Sequence, residues 1–304
     1  MMTVRRSAPG LGHAALPPLR PYQQQALDAV LASVRTGAGH SFSIMFSRQG
    51  GKNELSAQLE LALLMHNLGR EVEGIKCAPT FQPQARISLR RLWSRVQAVR
   101  PGALAALEEG TTVRLGRARQ RFLSAEPGAS VVGHTVGLAL EADEAQDIDP
   151  DKFDKDFRPM AATTNATTVY YGTAWTETDL LAEVRRRHLE LERRDGVQRH
   201  FEADWQEVAR WNPAYARFVA AERARLGEDH PLFVTQYLLR PLPGAGRLLP
   251  PALLALLAGD HPRLSAPPMA PEPRVVGYVA GLDVGGEAFG DGRPRGDGPD
   301  RTVL

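Results

Sequence analysis

Phe46-Ser-Arg-Gln-Gly-Gly-Lys-Asn53 is the stretch from which the rest of the chain is read. Before it, His40-Ser-Phe-Ser-Ile-Met-Phe46 is short and apolar, the pattern of a buried strand. After it, Leu55, Leu59, Ala62 and Leu63 fall at i, i+4, i+7 and i+8, one face of a helix, with Gly69 placed to end that helix. A glycine turn between a strand and a helix is the setting that a bound phosphate needs. Backbone N–H groups of the turn point at phosphate oxygens, the helix N-terminus adds positive potential, and Lys52 reaches the β- and γ-phosphates. The strict phosphate-loop pattern is not met, since Phe46 stands at the first glycine and Asn53 at the Ser/Thr. An Asn amide oxygen can still face Mg²⁺ or its water shell. The competing reading is a plain glycine-rich β–α turn with a solvent-exposed lysine, and the flanking strand and helix weigh against it.

A second stretch, Val136-Gly-Leu-Ala-Leu-Glu-Ala-Asp-Glu-Ala-Gln146, delivers two adjacent carboxylates at the end of an apolar strand. Ligands of open α/β sheets bind at that end. Asp143 can hold Mg²⁺ through water, and Glu144 can orient or deprotonate an attacking water. The alternative is a solvated acidic turn, but 91 positions from Lys52 to Asp143 suit a second nucleotide motif. Three weaker features accompany the pair. Arg20-Pro-Tyr-Gln-Gln24 precedes the first strand, where a Gln can read an adenine edge, or is simply a helix start with Pro at N1. Tyr171-Gly-Thr-Ala174 ends a strand after the acidic pair, a place where Gly172 and Thr173 could couple hydrolysis to motion. Ala78-Pro-Thr-Phe-Gln-Pro-Gln84 follows another strand and is either a surface turn or a nucleic-acid contact.

The rest of the chain is consistent with this. Its 304 residues are enough for about two domains. Hydrophobic residues at 43% and charged residues at 24% exclude a wholly disordered chain, and a net charge of +2 announces no general affinity for nucleic acid. The single Cys77 excludes a disulfide framework and a cysteine-built zinc site, and suits a reducing, intracellular compartment. No apolar run reaches the roughly 18 residues of a membrane span, and the N-terminus lacks the apolar core of a signal peptide. Residues up to Pro18 read as a mobile arm, and helices are expected over Tyr22–Val34, Arg86–Val99 and Asp179–Arg194, the last with Glu183/Arg187 and Glu190/Arg194 pairs. Strands are expected over Val72–Ala78, Val131–Leu140 and Thr167–Tyr171. Strands alternating with helices argue for a mainly parallel sheet flanked by helices, an α/β fold. Charge is uneven: Arg86 to Glu126 carries a local net of +6 and Glu141 to Arg158 a local net of −5. The arginine block would contact phosphates, or is a solvated face.

Taken together, the motifs resemble the large terminase subunit of tailed bacteriophages and prophages, the ATP-driven DNA-packaging motor. SRQGGKNE (47–54) is similar to that family's variant Walker A, GHTVGLALEADEAQ (133–146) to its Walker B with the catalytic Glu, YYGTAW (170–175) to its coupling motif and RPYQ (20–23) to its adenine motif. APTFQPQA (78–85) and NPAY (212–215) have the same flavour, and GLDVGG (281–286) with DRTVL (300–304) resembles the opening of its RNase H-like nuclease domain.

The resemblance implies a RecA/helicase-like P-loop NTPase motor over residues 20–245, after an arm over 1–19. A Pro-rich linker with a short helix would follow over 246–273, and the first hairpin of a truncated nuclease domain over 274–304. ATP would be bound by Gln23, Ser47, Arg48, Gln49, Gly50, Gly51, Lys52 and Asn53. Arg48 would stabilise transition-state charge, Asp143 and Asn53 would hold Mg²⁺, Glu144 would activate water, and Gly172 and Thr173 would couple. The partners implied are double-stranded DNA, a small terminase subunit and the procapsid portal, with the motor as a homo-oligomeric ring in the cytoplasm of a bacterial host and no membrane. Asp283 matches the first metal-binding carboxylate of the nuclease, where Mg²⁺ or Mn²⁺ would act in a complete domain. Two-metal cleavage needs several carboxylates, and Asp291, Asp297 and Asp300 are the only aspartates that follow Asp283, so the chain as given is expected not to cut DNA. The competing readings are a helicase-like ATPase of another pathway and a non-catalytic decayed prophage fragment.

Overall fold

A computed structural model of the chain describes residues 16–99, 101–131 and 133–243. Asp283, the expected linker and the expected nuclease hairpin lie outside these residues. The apolar sequence Ser41–Phe46 forms β1, buried almost throughout, and the chain turns at Ser47–Gly51 into helix α2 (Lys52–His66). Helix α1 (Pro21–Thr36) precedes them, opened by Pro21 and closed by Gly37 in the left-handed region. Strand β2 (Glu73–Ala78) is followed by α3 (Arg86–Ala98) and three strands, β3 (Ala105–Glu108), β4 (Thr112–Leu115) and β5 (Ala118–Ser124). Then come β6 (Ala139–Ala142), the single turn α4 (Pro150–Lys152), β7 (Thr167–Gly172), α5 (Leu180–Asp195) and β8 (His200–Ala203). Helices α6 (Trp205–Trp211), α7 (Pro213–Leu226) and α8 (Pro231–Gln236) complete the described chain.

The strands form one mixed sheet in the order β3-β4-β5-β2-β6-β7-β1-β8. The pairs from β5 to β8 are parallel, and the β3-β4-β5 corner is antiparallel. Neighbouring residues of β1 serve opposite faces. Ile44 and Phe46 pack with the layer of α1, α2 and α3, while Met45 packs with Tyr170, Phe153, Phe157 and the start of α5. Helices therefore cover both faces, each fully buried Phe or Leu contributing about 1.5–3 kcal/mol. Because β1, β6 and β7 run parallel with β7 in the middle, their C-terminal ends open on one edge. That edge carries the loop before Lys52, the pair Asp143–Glu144, and Gly172–Thr173.

The structure differs from the sequence reading in several places. Helix α2 ends earlier than Gly69, because the Asn67 side-chain amide donates to the Leu63 carbonyl (2.8 Å) and caps it. The strand expected over Val131–Leu140 enters the sheet only at Ala139, since the N–H groups of Gly137 and Leu138 both donate to the Glu73 carbonyl before pairing begins. The end of the expected arm is held: Leu16 and Leu19 pack on the core and Gln58 donates to the Pro17 carbonyl at 2.7 Å. On α5 the expected Glu183/Arg187 and Glu190/Arg194 pairs are not formed; Arg185 reaches across to Glu202 (3.2 Å) and Asp195 pairs with Arg199 beyond the helix end (2.6 Å). No helix among the described residues is long and apolar enough to cross a membrane.

Candidate active site

The loop between β1 and α2 is built by backbone geometry. Gln49 (φ 62°) and Gly51 (φ 94°) are left-handed, a conformation in which a side chain costs energy at any residue but glycine. The Gly50 N–H closes the turn on the Ser47 carbonyl at 2.7 Å. The N–H groups of Gln49, Gly51, Lys52 and Asn53 have no protein acceptor among the described residues. They stand at the positive end of a 15-residue helix, the arrangement that binds anions. The loop is braced from behind. Tyr22 donates to the Gly50 carbonyl (2.8 Å), Gln23 to the Gly51 carbonyl (2.9 Å), and the Arg48 N–H to the Gln236 carbonyl (2.8 Å). Lys52 folds its ammonium onto the Phe46 carbonyl at 3.1 Å.

Across from the loop, the end of β6 supplies the acids. Asp143 is nearly buried, and its Oδ2 accepts from the Ser88 hydroxyl at 2.6 Å. Glu144 sits at φ 48°, strained for a side-chain-bearing residue, and its Oε2 accepts from the Gln146 amide at 2.9 Å. The Gln146 oxygen in turn takes the Thr173 N–H at 3.3 Å, so the Glu144 carboxylate is tied to the end of β7 through one side chain. Burial, and the Glu144 charge beside it, push the Asp147 carboxyl up from its ordinary range.

These parts enclose one cleft of about 610 Å³. Of the residues picked from sequence, Arg48, Gln49, Gly50, Gly51, Lys52, Asn53, Asp143, Glu144 and Thr173 all border it. Gln23 and Ser47 do not. The Gln23 amide is spent on the Arg20 N–H and the Gly51 carbonyl, and the Ser47 hydroxyl is buried against that of Tyr215 (2.9 Å). Gly172 lies behind the cleft, where an added Cβ would stand 2.2 Å from the Gln146 amide oxygen and 2.6 Å from Leu181. Gly172→Ala is therefore expected to push Gln146 off Glu144 and break its link to the Thr173 N–H.

Sequence reasoning missed several residues lining the cleft, among them Glu54, Gln84, Trp175 and Gln236. Glu54 is fastened by Arg95 (2.9 Å) and Arg91 (3.3 Å). Burial opposes its charge, but bonds from Gln58, Arg95 and Arg91 outweigh that and hold its carboxyl below the ordinary range. Its position two residues after the lysine, 37 and 41 positions from the arginines that hold it, gave no sign of this. The arginine block also divides. Arg114 and Arg119 pair with Glu108, Arg117 with Glu71 and Arg121 with Glu73, whereas Arg86 and Arg90 on α3 are exposed and have no acidic partner among the described residues.

No protein-family model matches the sequence, and no curated protein matches it. Solved structures do. The large terminase ATPase domain of Thermus phage P74-26 superposes with a TM-score of 0.54 at 19% identity, over 73% of this chain and 99% of that one. The large terminase of bacteriophage HK97 superposes with a TM-score of 0.62 at 18% identity, over 74% of this chain and 51% of that one. The fold is that of the phage large terminase ATPase domain. The large terminase of another, thermophilic, bacteriophage shares this fold in a complex with ADP (TM-score 0.54, 10% identity, 73% of this chain and 53% of that one). The chain thus spans about half of the longer terminase chains it resembles. In the terminase ATPase fold as built here, the loop before Lys52 and the acids after β6 face each other across a single cleft.

Proposed function

We propose that residues 20–245 are the ATPase motor domain of a large terminase subunit, hydrolysing ATP with Mg²⁺ to drive double-stranded DNA into a procapsid. The convergence of Lys52, Asp143 and Glu144 on one cleft carries this reading. Free N–H groups of the loop and the Lys52 ammonium suit the β- and γ-phosphates. Asp143, with one oxygen held by Ser88 and the residue bordering the cleft, fits a divalent cation, and Asn53, which lines the same cleft, would supply an amide oxygen. When bound, Mg²⁺ would neutralise charge on the phosphates. Glu144 accepts the proton of a water as that water bonds to the γ-phosphorus; the bond to the leaving ADP oxygen breaks, and inorganic phosphate departs. Arg48, with its side chain at the cleft, stabilises the charge that spreads over the transferring group. Gln23 braces the loop by its present bonds, and a role at the adenine edge would require it to release Gly51. Gly172 and Thr173 sit where the state of the Glu144 carboxylate reaches the sheet through Gln146.

A homo-oligomeric ring acting with a portal and a small subunit, in a bacterial cytoplasm, follows from the same reading. The complete cleft favours it over a decayed, non-catalytic fragment. For DNA, Arg86 and Arg90 are, among the described residues, arginines of the block without an acidic partner and so free to meet phosphates. The test is Mg²⁺-dependent phosphate release from ATP, with and without double-stranded DNA, together with DNA affinity across a salt series. Turnover that rises with DNA is expected, and Arg86→Ala/Arg90→Ala should flatten the slope of log affinity against log salt by about 1–2. Absence of ATP turnover would remove the motor reading, and an unchanged slope would remove the two arginines from the DNA contact.

A further inference from the structure

Behind the acids of the cleft lies a charged centre that the proposed chemistry does not use. Lys76, in the middle of β2, is 1% exposed. Its ammonium donates to the Ser56 hydroxyl (2.7 Å) and to Glu60 (3.2 Å), and stands 3.6 Å from Asp143 Oδ2. Ser56 and Glu60 are one turn apart on α2, the helix that begins at Lys52. Glu141 is the register partner of Lys76 on β6, and its two oxygens accept from Tyr171 (2.9 Å) and Gln120 (3.3 Å). Burial alone would strip the Lys76 proton, but the carboxylates of Asp143, Glu60 and Glu141 outweigh it and keep the amine charged.

A buried ammonium is costly wherever an apolar side chain of similar volume would fit. Here it occupies one defined place, between the helix of the phosphate loop and the acid of β6. The Ser88 hydroxyl from α3 closes the other side of the same Asp143 oxygen at 2.6 Å. The Ser88 bond and the Lys76 charge both act on Oδ2, which leaves the second oxygen for the cleft that Asp143 borders. Through Lys76 the same oxygen is linked to Ser56 and Glu60, so one ammonium connects the acid of β6 to the helix that begins at Lys52.

We infer that Lys76 and Ser88 are positioning residues that aim Asp143 at the divalent cation and lock it in register with the phosphate-loop helix. This rests on the Mg²⁺-ATP reading of the cleft and adds to it the groups that set metal affinity. Partners that orient a metal ligand from behind are worth about 10–100-fold in metal affinity.

The test measures ADP binding by fluorescence of a labelled nucleotide, first without metal and then across a Mg²⁺ titration, using the full chain. In Lys76→Met and Ser88→Ala the metal-free affinity should stay within about threefold of the parent, while the Mg²⁺ concentration at half-effect should rise about tenfold or more. Ser88→Thr, which keeps the hydroxyl, should restore the parent midpoint. A purely structural role would lower both affinities together, or only the melting temperature. If Lys76→Met does not fold, Ser88→Ala, which removes one neutral donor and leaves the ion cluster whole, decides the matter. An unshifted midpoint in the folded variants overturns the inference while the motor reading stands. A parent chain whose nucleotide affinity ignores Mg²⁺ overturns both.

Discussion

Glu144→Gln is expected to cut the rate of ATP turnover by about 10²–10⁴-fold, the usual contribution of a positioned general base, while ATP still binds with parental affinity. The geometry makes this a clean substitution. An amide of the same shape can still accept from Gln146 through its oxygen, so the bond at 2.9 Å and the link to Thr173 survive. The backbone at φ 48° is equally strained for Glu and Gln, so no local energy is gained or lost there. What disappears is the basic oxygen and its negative charge. None of the groups that would face the phosphates, the loop N–H groups and the Lys52 ammonium, is altered. Single-turnover phosphate release and nucleotide calorimetry separate the two quantities. Turnover within a few-fold of the parent would take the role of base away from Glu144. Equal losses in binding and turnover would mean that its charge organises the loop instead.

The glycine loop before Lys52 and the acidic pair were legible in sequence as neighbours of strand ends because each rests on local chemistry. A glycine turn between a strand and a helix, and paired acids at the end of an apolar run, advertise themselves without knowledge of the fold. The strands β3 to β5 were not read, although their sequence holds the signal. In Ala118-Arg-Gln-Arg-Phe122 the buried positions Ala118, Gln120 and Phe122 alternate with half-buried arginines, a period of two. The arginines drew attention as a charge block, and the buried Gln120 broke the expected apolar face. Their cross-strand acids, Glu71, Glu73 and Glu108, lie up to 48 positions away. No window on the sequence brings such pairs together. The same limit hid Lys76. A lysine in a strand reads as a mark of exposure, and only the packing of α2, α3 and β6 around it reveals a buried centre. Gln23 shows the reverse case. Its place before the first strand suggested a ligand contact, and the fold spends its amide on the loop backbone. Ile87, an apolar residue of α3, is 46% exposed at the rim of the cleft, because Ser88 and Leu89 take the inward positions.

Lys52→Ala separates binding from chemistry in the opposite sense. In the structure the Lys52 ammonium is nearly buried and satisfied by the Phe46 carbonyl at 3.1 Å. A nucleotide must draw it off that carbonyl and give it phosphate oxygens in exchange. A hydrogen bond to a charged group contributes about 1.5–3 kcal/mol, and removing it corresponds to roughly a 10- to 100-fold loss of ATP affinity. The loss should be confined to ligands with β- and γ-phosphates. Adenosine, which offers the lysine nothing, should bind the variant and the parent alike. Folding should suffer little, by about 1 kcal/mol, since the carbonyl left behind loses one partner at the edge of a wet cleft. Lys52→Arg should not rescue, because a planar guanidinium cannot replace a compact ammonium in a slot closed by the loop itself. Calorimetric titration of the parent, Lys52→Ala and Lys52→Arg with ATP, ADP and adenosine reads the affinities, and denaturant unfolding reads the stability. If adenosine affinity falls as far as that of ATP, the lysine supports the shape of the loop rather than the phosphates. Full ATP affinity in the variant would leave the loop N–H groups as the whole of the anion site.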